Sequence, residues 1–313
     1  MKQNFILFLK GMAMGAADVV PGVSGGTIAF IPGIYQKLID SIKSFDVKAI
    51  QLLFKGEIAE LWKHVNGTFL SILFGGIFLS VLSLATLLKA LLENHPQMVW
   101  SFFFGLIIAS AIYVIKQVKN WNAGIVISLL IGVVIAYWIT VVTPAETPDS
   151  WWFIILSGSL AICAMILPGI SGSFILLLLG KYTFILTAVS EMKISVIALF
   201  MIGAAAGIIS FSKLLSWLLH KYYNVTISLL AGFMIGSLNK VWPWKHTTET
   251  FIDRHGIVKP LVQENVLPGD FSTLTGTEPF LLGAVILAIV GFGVIFVIEH
   301  YSSNILVKDE QES

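Results

Sequence analysis

Two apolar segments of this chain, about 4–39 and 152–190, are each interrupted by the pattern Pro-Gly-x-Ser-Gly, and this constrains its fold more than any other feature. The first break reads Pro21-Gly22-Val23-Ser24-Gly25-Gly26 and the second Pro168-Gly169-Ile170-Ser171-Gly172-Ser173. Proline removes a backbone donor and ends an incoming helix, while glycine permits turns that other residues resist. At 1.5 Å per residue an arm of about 15 residues reaches roughly 20 Å, short of the ~30 Å hydrocarbon core of a bilayer. The two arms together are too long for one ordinary span. A re-entrant hairpin, entering and leaving on one side, meets both constraints. Backbone broken at that depth is tolerated only where it is buried in protein or lines a polar cavity.

Stretches at about 67–92, 97–115, 123–143, 194–219, 225–242 and 280–300 are apolar and long enough to cross a bilayer. Composition agrees: 57% hydrophobic and 12% charged residues, with a mean hydropathy of +0.89, put the chain in the membrane class. A net charge of +1 provides no basic field for nucleic acid. The single cysteine, Cys163, and six scattered histidines give no disulfide framework and no metal-ligand spacing, so neither metal nor cofactor is expected. The apolar run Phe5 to Ala17 leads into Asp18 and the first break without a convincing cleavage site, so it is not read as a cleaved signal. Lys43, Lys48, Lys55 and Lys63 put the loop after the first broken segment in the cytoplasm. The 92–97 and 144–151 connections lack such charge, whereas 116–120 carries Lys116 and Lys119, which predicts an in, out, in, out order.

Pro21 aligns with Pro168 at an offset of 147, which also matches Gly11 with Gly158, Gly33 with Gly180 and Tyr35 with Tyr182. Further on, Ser101 and Gly105 match Ser228 and Gly232 at an offset of 127. The predicted fold is therefore an all-α polytopic membrane protein of two repeats, 1–145 and 146–313, the second with an extramembrane loop at about 241–279. Each repeat is a re-entrant broken-helix hairpin followed by about three transmembrane helices. Three full crossings between the two hairpins would invert the second repeat, a recurrent transporter design, whereas broken segments that each crossed once would make the repeats parallel.

The helices that restart after each break have backbone N–H groups with no intrahelical partner and the positive end of the helix dipole. Two such ends meeting in the membrane would suit an anion such as phosphate. The candidate phosphate-binding residues are Ser24, Gly25, Gly26 and Thr27 with Ser171, Gly172 and Ser173; the bland alternative is that they cap and pack a kinked helix. Asp18 is a candidate proton carrier or support for the site, since an intramembrane carboxylate is costly; a loop-tying hydrogen bond is its alternative role. Lys181 and Lys213 are candidate headgroup contacts or interfacial anchors. Trp100, Trp151, Trp152, Trp242 and Trp244 read as interface belts, and Gly203-x-x-x-Gly207 as a close helix contact.

Two rival readings use the same residues. Gly-x-Ser-Gly resembles the serine motif of rhomboid intramembrane proteases, but every histidine falls in a loop or at a span end, and the motif occurs twice. A small inorganic-anion channel or exchanger could also bring helix N-termini and Ser-Gly loops to a central anion.

Gly15-Ala-Ala-Asp18-Val-Val-Pro21-Gly-Val-Ser24-Gly-Gly-Thr27 followed by Gly33-Ile-Tyr35, with the later Leu167-Pro-Gly-Ile-Ser171-Gly-Ser, resembles the signature of one bacterial family. It is the family catalogued as domain of unknown function 368, regarded as polyprenyl-phosphate (undecaprenyl-phosphate) translocases of the PopT type. The resemblance covers nearly the whole chain. It implies a non-enzymatic flippase in the bacterial cytoplasmic membrane, returning the lipid carrier from the outer to the cytoplasmic leaflet for cell-wall glycan synthesis. The implied partner is the polyprenyl-phosphate lipid, with no nucleic acid; the oligomeric state is left open. In the second motif Ser173-Phe174 stands where the first has Gly26-Thr27, so the halves need not contact a headgroup equally.

Overall fold

The computed structural model describes residues 2–20, 23–31, 33–145, 147–252 and 258–311. Pro21 and Gly22 of the first break lie outside the described residues. The first broken segment forms α1 (Lys2–Asp18), α2 (Gly25–Phe30) and α3 (Tyr35–Lys43), followed by two short helices, α4 (Val47–Phe54) and α5 (Ile58–His64). Three long helices come next: α6 (Gly67–Asn94), α7 (Pro96–Lys116) and α8 (Ala123–Val141). The second broken segment forms α9 (Trp151–Ile166), α10 (Gly172–Leu178) and α11 (Tyr182–Ser190), and α12 (Ile194–Lys221) and α13 (Tyr223–Ser237) follow. A hairpin of β1 (Lys245–Ile252) and β2 (Val258–Asn265), then α14 (Pro268–Thr275), leads to α15 (Leu281–Gln311).

Local chemistry explains several boundaries. Pro96 begins α7 and Pro268 begins α14, at positions where the missing N–H has no intrahelical partner to lose. Asn122 caps α8 by accepting from the Ile125 N–H at 3.0 Å. Among the described residues four helices, α6, α7, α8 and α12, are long and apolar enough to cross a membrane; α10 with α11, bent by 111°, makes a fifth if counted as one span. Helix α13 ends at Ser237 after 15 residues, shorter than the stretch of about 225–242 expected from hydropathy. Apart from the one antiparallel hairpin, the described elements are helical. That hairpin falls within the loop expected at about 241–279.

Helix pairing has a pattern. Within the halves α1 packs on α6 and α9 on α12; between them α7 packs on α15 and α13 on α8. Glycines set these close approaches, because backbone meets backbone where no side chain intervenes. A Cβ on Gly11 would strike the Leu73 carbonyl, and one on Gly158 would strike that of Phe200. Gly76 lies against the Phe8 carbonyl, as Gly203 does against that of Ile155. Across the halves, Gly132 meets Leu229 and Gly291 meets Phe102. The offsets of 147 and 127 thus recur in contacts as well as letters, and the contacts of Gly132 on α8 and Gly291 on α15 match at offsets of 127 and 159. The Gly203–Gly207 pair makes the close contact expected of it, against Ile155 and Ser159 of α9.

The core gathers around α2, α3 and α7, with Val23, Ala29, Ile107 and Met234 among its most buried side chains. Helices α8 and α12 turn much apolar surface outward, where lipid would cover it. Trp151 and Trp152 are exposed, as interface residues are, but Trp244 is buried with Phe271 and Ala284, with Trp242 packed on this cluster. The last two tryptophans are thus internal parts of a small cap around the hairpin, which corrects the belt reading: their indole N–H groups donate to Pro279 and Val266 carbonyls.

Candidate functional site

Each break ends in a serine that caps the helix after it. Ser24 is extended and its Oγ accepts from the Gly26 N–H at 3.1 Å; Ser171 is likewise extended and accepts from the Phe174 N–H at 3.3 Å. Past the caps the two breaks diverge. In the first, the Asp18 carboxylate accepts from the Gly25 N–H at 2.6 Å, so a carboxylate of the chain occupies the first donor of α2. Its aligned position in the second half is Met165, which has no charge.

The breaks lie against each other. Ser24 Oγ donates to the Met165 carbonyl at 2.9 Å, and the Tyr35 hydroxyl donates to the Ile166 carbonyl at 3.1 Å. In the other direction the Gly169 N–H donates to Thr27 Oγ1 at 3.0 Å. Gly26 closes on the Ile166 carbonyl, where an added Cβ would fall 2.6 Å away. Carbonyls left without partners at the end of α9 are thereby satisfied by side chains some 130 to 140 residues earlier in the chain. Tyr35 is also stacked on Phe30, with centroids 3.8 Å apart, which fixes its ring under the break. Gly169 has φ of +86°, and a Cβ there would lie 2.6 Å from Ser237 Oγ, so the turn after Pro168 admits only glycine comfortably.

The structure therefore brings Ser24, Gly25, Gly26 and Thr27 together with the backbone of the second break, and seals them. Ser24 is 1% exposed and Thr27 fully buried, whereas Ser173 is exposed and its hydroxyl lies 3.3 Å from that of Ser171. Lys181 and Lys213 stand apart from this contact. Lys181 is buried, its ammonium donating to Asp149 and to the Thr147 carbonyl between the rings of Phe153 and Phe184. Its nitrogen is committed to the chain that leads into α9. Lys213 lines a polar cavity of about 320 Å³ with Asp40, Lys43, Asp46 and His220. Near it, Lys43 donates to Ser216 Oγ at 3.1 Å, and Ser216 donates to Asp40 at 2.6 Å.

Sequence reasoning missed one pair of cations. Lys240 and Lys245 line a cavity of about 460 Å³ against α8 and α10. Burial pushes the Lys240 ammonium down from its ordinary range to about 8, and burial with the adjoining Lys240 charge pushes Lys245 well below its usual value. The available signal was two lysines five apart, flanking Trp242 and Trp244 beside an apolar span.

Two broken helical segments that meet within a bundle of apolar, span-length helices point to a multi-pass membrane protein of transporter type. The family described as VCA0040-like, undecaprenyl phosphate translocase-like, matches residues 14–259. The chain belongs to that family, which is one of transporters and not of catalytic enzymes. It is 44% identical over 297 residues to a polyprenyl-phosphate transporter of Vibrio cholerae serotype O1, covering 95% of this chain and 96% of the relative. A polyprenyl-phosphate transporter of Staphylococcus aureus is 34% identical over 259 residues, covering 77% of this chain and 87% of the relative. No solved structure matches the chain. The serine-protease alternative falls with the family assignment, and the break chemistry agrees, since Ser24 Oγ donates to a backbone carbonyl and not to a histidine.

Proposed function

We propose that the chain moves a polyprenyl phosphate across the bacterial cytoplasmic membrane, from the outer to the cytoplasmic leaflet, with the phosphate received at the facing breaks. The observation that carries this reading is the mutual grip of the two breaks, one sealed and one with an exposed serine. A phosphate would meet Ser171, Gly172 and Ser173 first. It would reach Ser24 to Thr27 when the contact between the halves opens, displacing the Asp18 carboxylate from the Gly25 N–H. Both ligands are anions seeking the same donor, so phosphate binding and release of Asp18 are coupled, and proton uptake by the released carboxylate would lower the cost of that exchange. The isoprenoid tail stays in lipid throughout.

Helix directions support an inverted duplication with halves at 1–145 and 146–313. Helix α8 runs parallel to α13, since Gly232 lies against Leu129 and Gly236 against Val133 and Ala136. Single residues, His95 and Tyr222, join α6 to α7 and α12 to α13, so each pair is antiparallel. Helix α7 runs against α13, since Gln117 meets Tyr223 at one end and Phe104 meets Trp242 at the other, so α6 and α12, equivalent by offset, run in opposite directions. Each broken segment also returns towards its own entry: Lys181 reaches Asp149 after the second break, and Asn4 shares a cavity with Lys37 after the first. With the lysine-rich loop inside, the first hairpin opens to the cytoplasm and the second to the outer side.

Leaflet-resolved labelling of undecaprenyl phosphate in cells tests the site. Ser171→Ala combined with Ser24→Ala is expected to slow inward return by at least about tenfold at equal protein abundance, from loss of two hydroxyl contacts. Unchanged return would remove the breaks as the phosphate site. Movement of chloride or inorganic phosphate in place of the lipid would favour a small-anion exchanger.

A further inference from the structure

Between the outer ends of α8 and α13 and the β hairpin lies a cavity of about 460 Å³ that the break chemistry does not use. Its polar lining is held in place. Asn239 donates to Thr140 Oγ1 at 2.8 Å, and Asn265 donates to both oxygens of Asn239 at 2.8 Å. Register places Asn265 opposite Lys245 on the hairpin. The two lysines flank the Trp242-Pro243-Trp244 turn in sequence, and both line the cavity. The Lys240 ammonium lies 4.2 Å from the Phe174 ring centroid and that of Lys245 4.2 Å from the Trp100 centroid, while Lys245 also donates to the Lys240 carbonyl. Neither forms an ion pair with a carboxylate of the described residues.

Two half-buried cations facing one cavity repel each other and lose solvation, and both costs fall when an anion joins them. The aromatic rings offset part of this cost but supply no negative charge. Glu264, the one carboxylate lining the cavity among the described residues, is exposed at its mouth on β2 and forms no ion pair with either lysine. A doubly charged phosphate monoester matches two ammonium groups and the fixed amides better than a carboxylate does. The position adds to this. Phe174, under Lys240, directly follows Ser173, and its N–H is the group that Ser171 caps.

We infer that Lys240 and Lys245 form an outer receiving site for a phosphate monoester, one residue from the second break, where an incoming headgroup is held before it reaches Ser171 and Ser173. This rests on the translocase reading above and deepens it by giving the headgroup a first station outside the breaks. The same chemistry would also accept inorganic phosphate.

The test uses the full chain in detergent micelles with geranylgeranyl monophosphate as probe, inorganic phosphate as second ligand and geranylgeraniol as uncharged control. The expected result is binding of the monophosphate and none of the alcohol. Affinity falls by about tenfold or more in Lys240→Gln with Lys245→Gln, and stays within about threefold in Lys240→Arg. Glu264→Gln, which removes the carboxylate at the mouth, tightens binding. Loss confined to the lipid monophosphate assigns the site to a headgroup, and an equal loss for inorganic phosphate assigns it to the anion itself. Unchanged affinity for both in a double variant that melts as the parent does overturns the inference. If the double variant does not fold, Lys240→Gln alone decides, because its stem still packs on Phe174. Translocation in vesicles of phosphatidylethanolamine and phosphatidylglycerol separates the two claims. A parent protein that moves no labelled lipid sinks the translocase reading while the binding comparison still stands. Variants that bind and transport as the parent does sink only the receiving site.

Discussion

The two breaks carry nearly the same letters and are engaged differently. At the first, Asp18 takes the Gly25 N–H, Ser24 caps Gly26 and reaches across to Met165, and Thr27 holds the Gly169 N–H. At the second, Met165 stands in place of the carboxylate, and Ser173 is exposed beside Ser171. A motif that ends one helix and starts another creates donors in search of an acceptor. Whether the acceptor belongs to the chain or arrives with a ligand is decided by its neighbours. Here the first break is given the Asp18 carboxylate and becomes the clamp, and the second leaves the Ser173 hydroxyl exposed beside a buried Ser171.

Substitutions can break this contrast. The largest stability effect is expected from Gly169→Ala, which forces a Cβ into the left-handed region and against Ser237 and the Phe233 carbonyl. About 3 kcal/mol of stability should be lost, read as the unfolding midpoint in detergent. Gly25→Ala meets only the movable Asp18 carboxylate and should cost clearly less. A smaller loss, about 2 kcal/mol, is expected for Asp18→Ala, which leaves the buried Gly25 N–H without its acceptor. Asp18→Asn should recover most of that, since its amide oxygen still accepts. If Asp18→Asn folds well yet abolishes inward lipid movement, the carboxylate has a role in transport beyond capping; full transport would confine it to the fold. The smallest effect, about 1 kcal/mol, is expected for Tyr35→Phe, which keeps the stack on Phe30 and removes only the bond to Ile166. A loss of that size ties the breaks together through their side chains, whereas no change would leave the grip to Ser24 and Thr27 alone.

Much of the architecture was legible because the bilayer imposes length and polarity on every span. The broken segments and most of the span boundaries follow from apolar runs and from Pro-Gly punctuation. The offsets of 147 and 127 were visible because glycine and serine recur where backbones meet. The matching contacts of Gly132 on α8 and Gly291 on α15 were not, since the apolar positions around them accept many side chains and carry no shared letters. The β hairpin was hidden for a related reason: its strands are short, polar and set in a long loop.

The sequence by itself determined that two helices must end at the breaks and restart with a serine cap, since proline, glycine and serine act on their immediate neighbours. Tertiary structure alone decided that the two breaks touch, which one is sealed, and that Lys181 is committed to Asp149 while Lys240 and Lys245 share a cavity. Those outcomes depend on side chains far apart in the chain meeting in space, as Thr27 meets Gly169. Local chemistry cannot encode such a meeting; only the packing of one half on the other creates it.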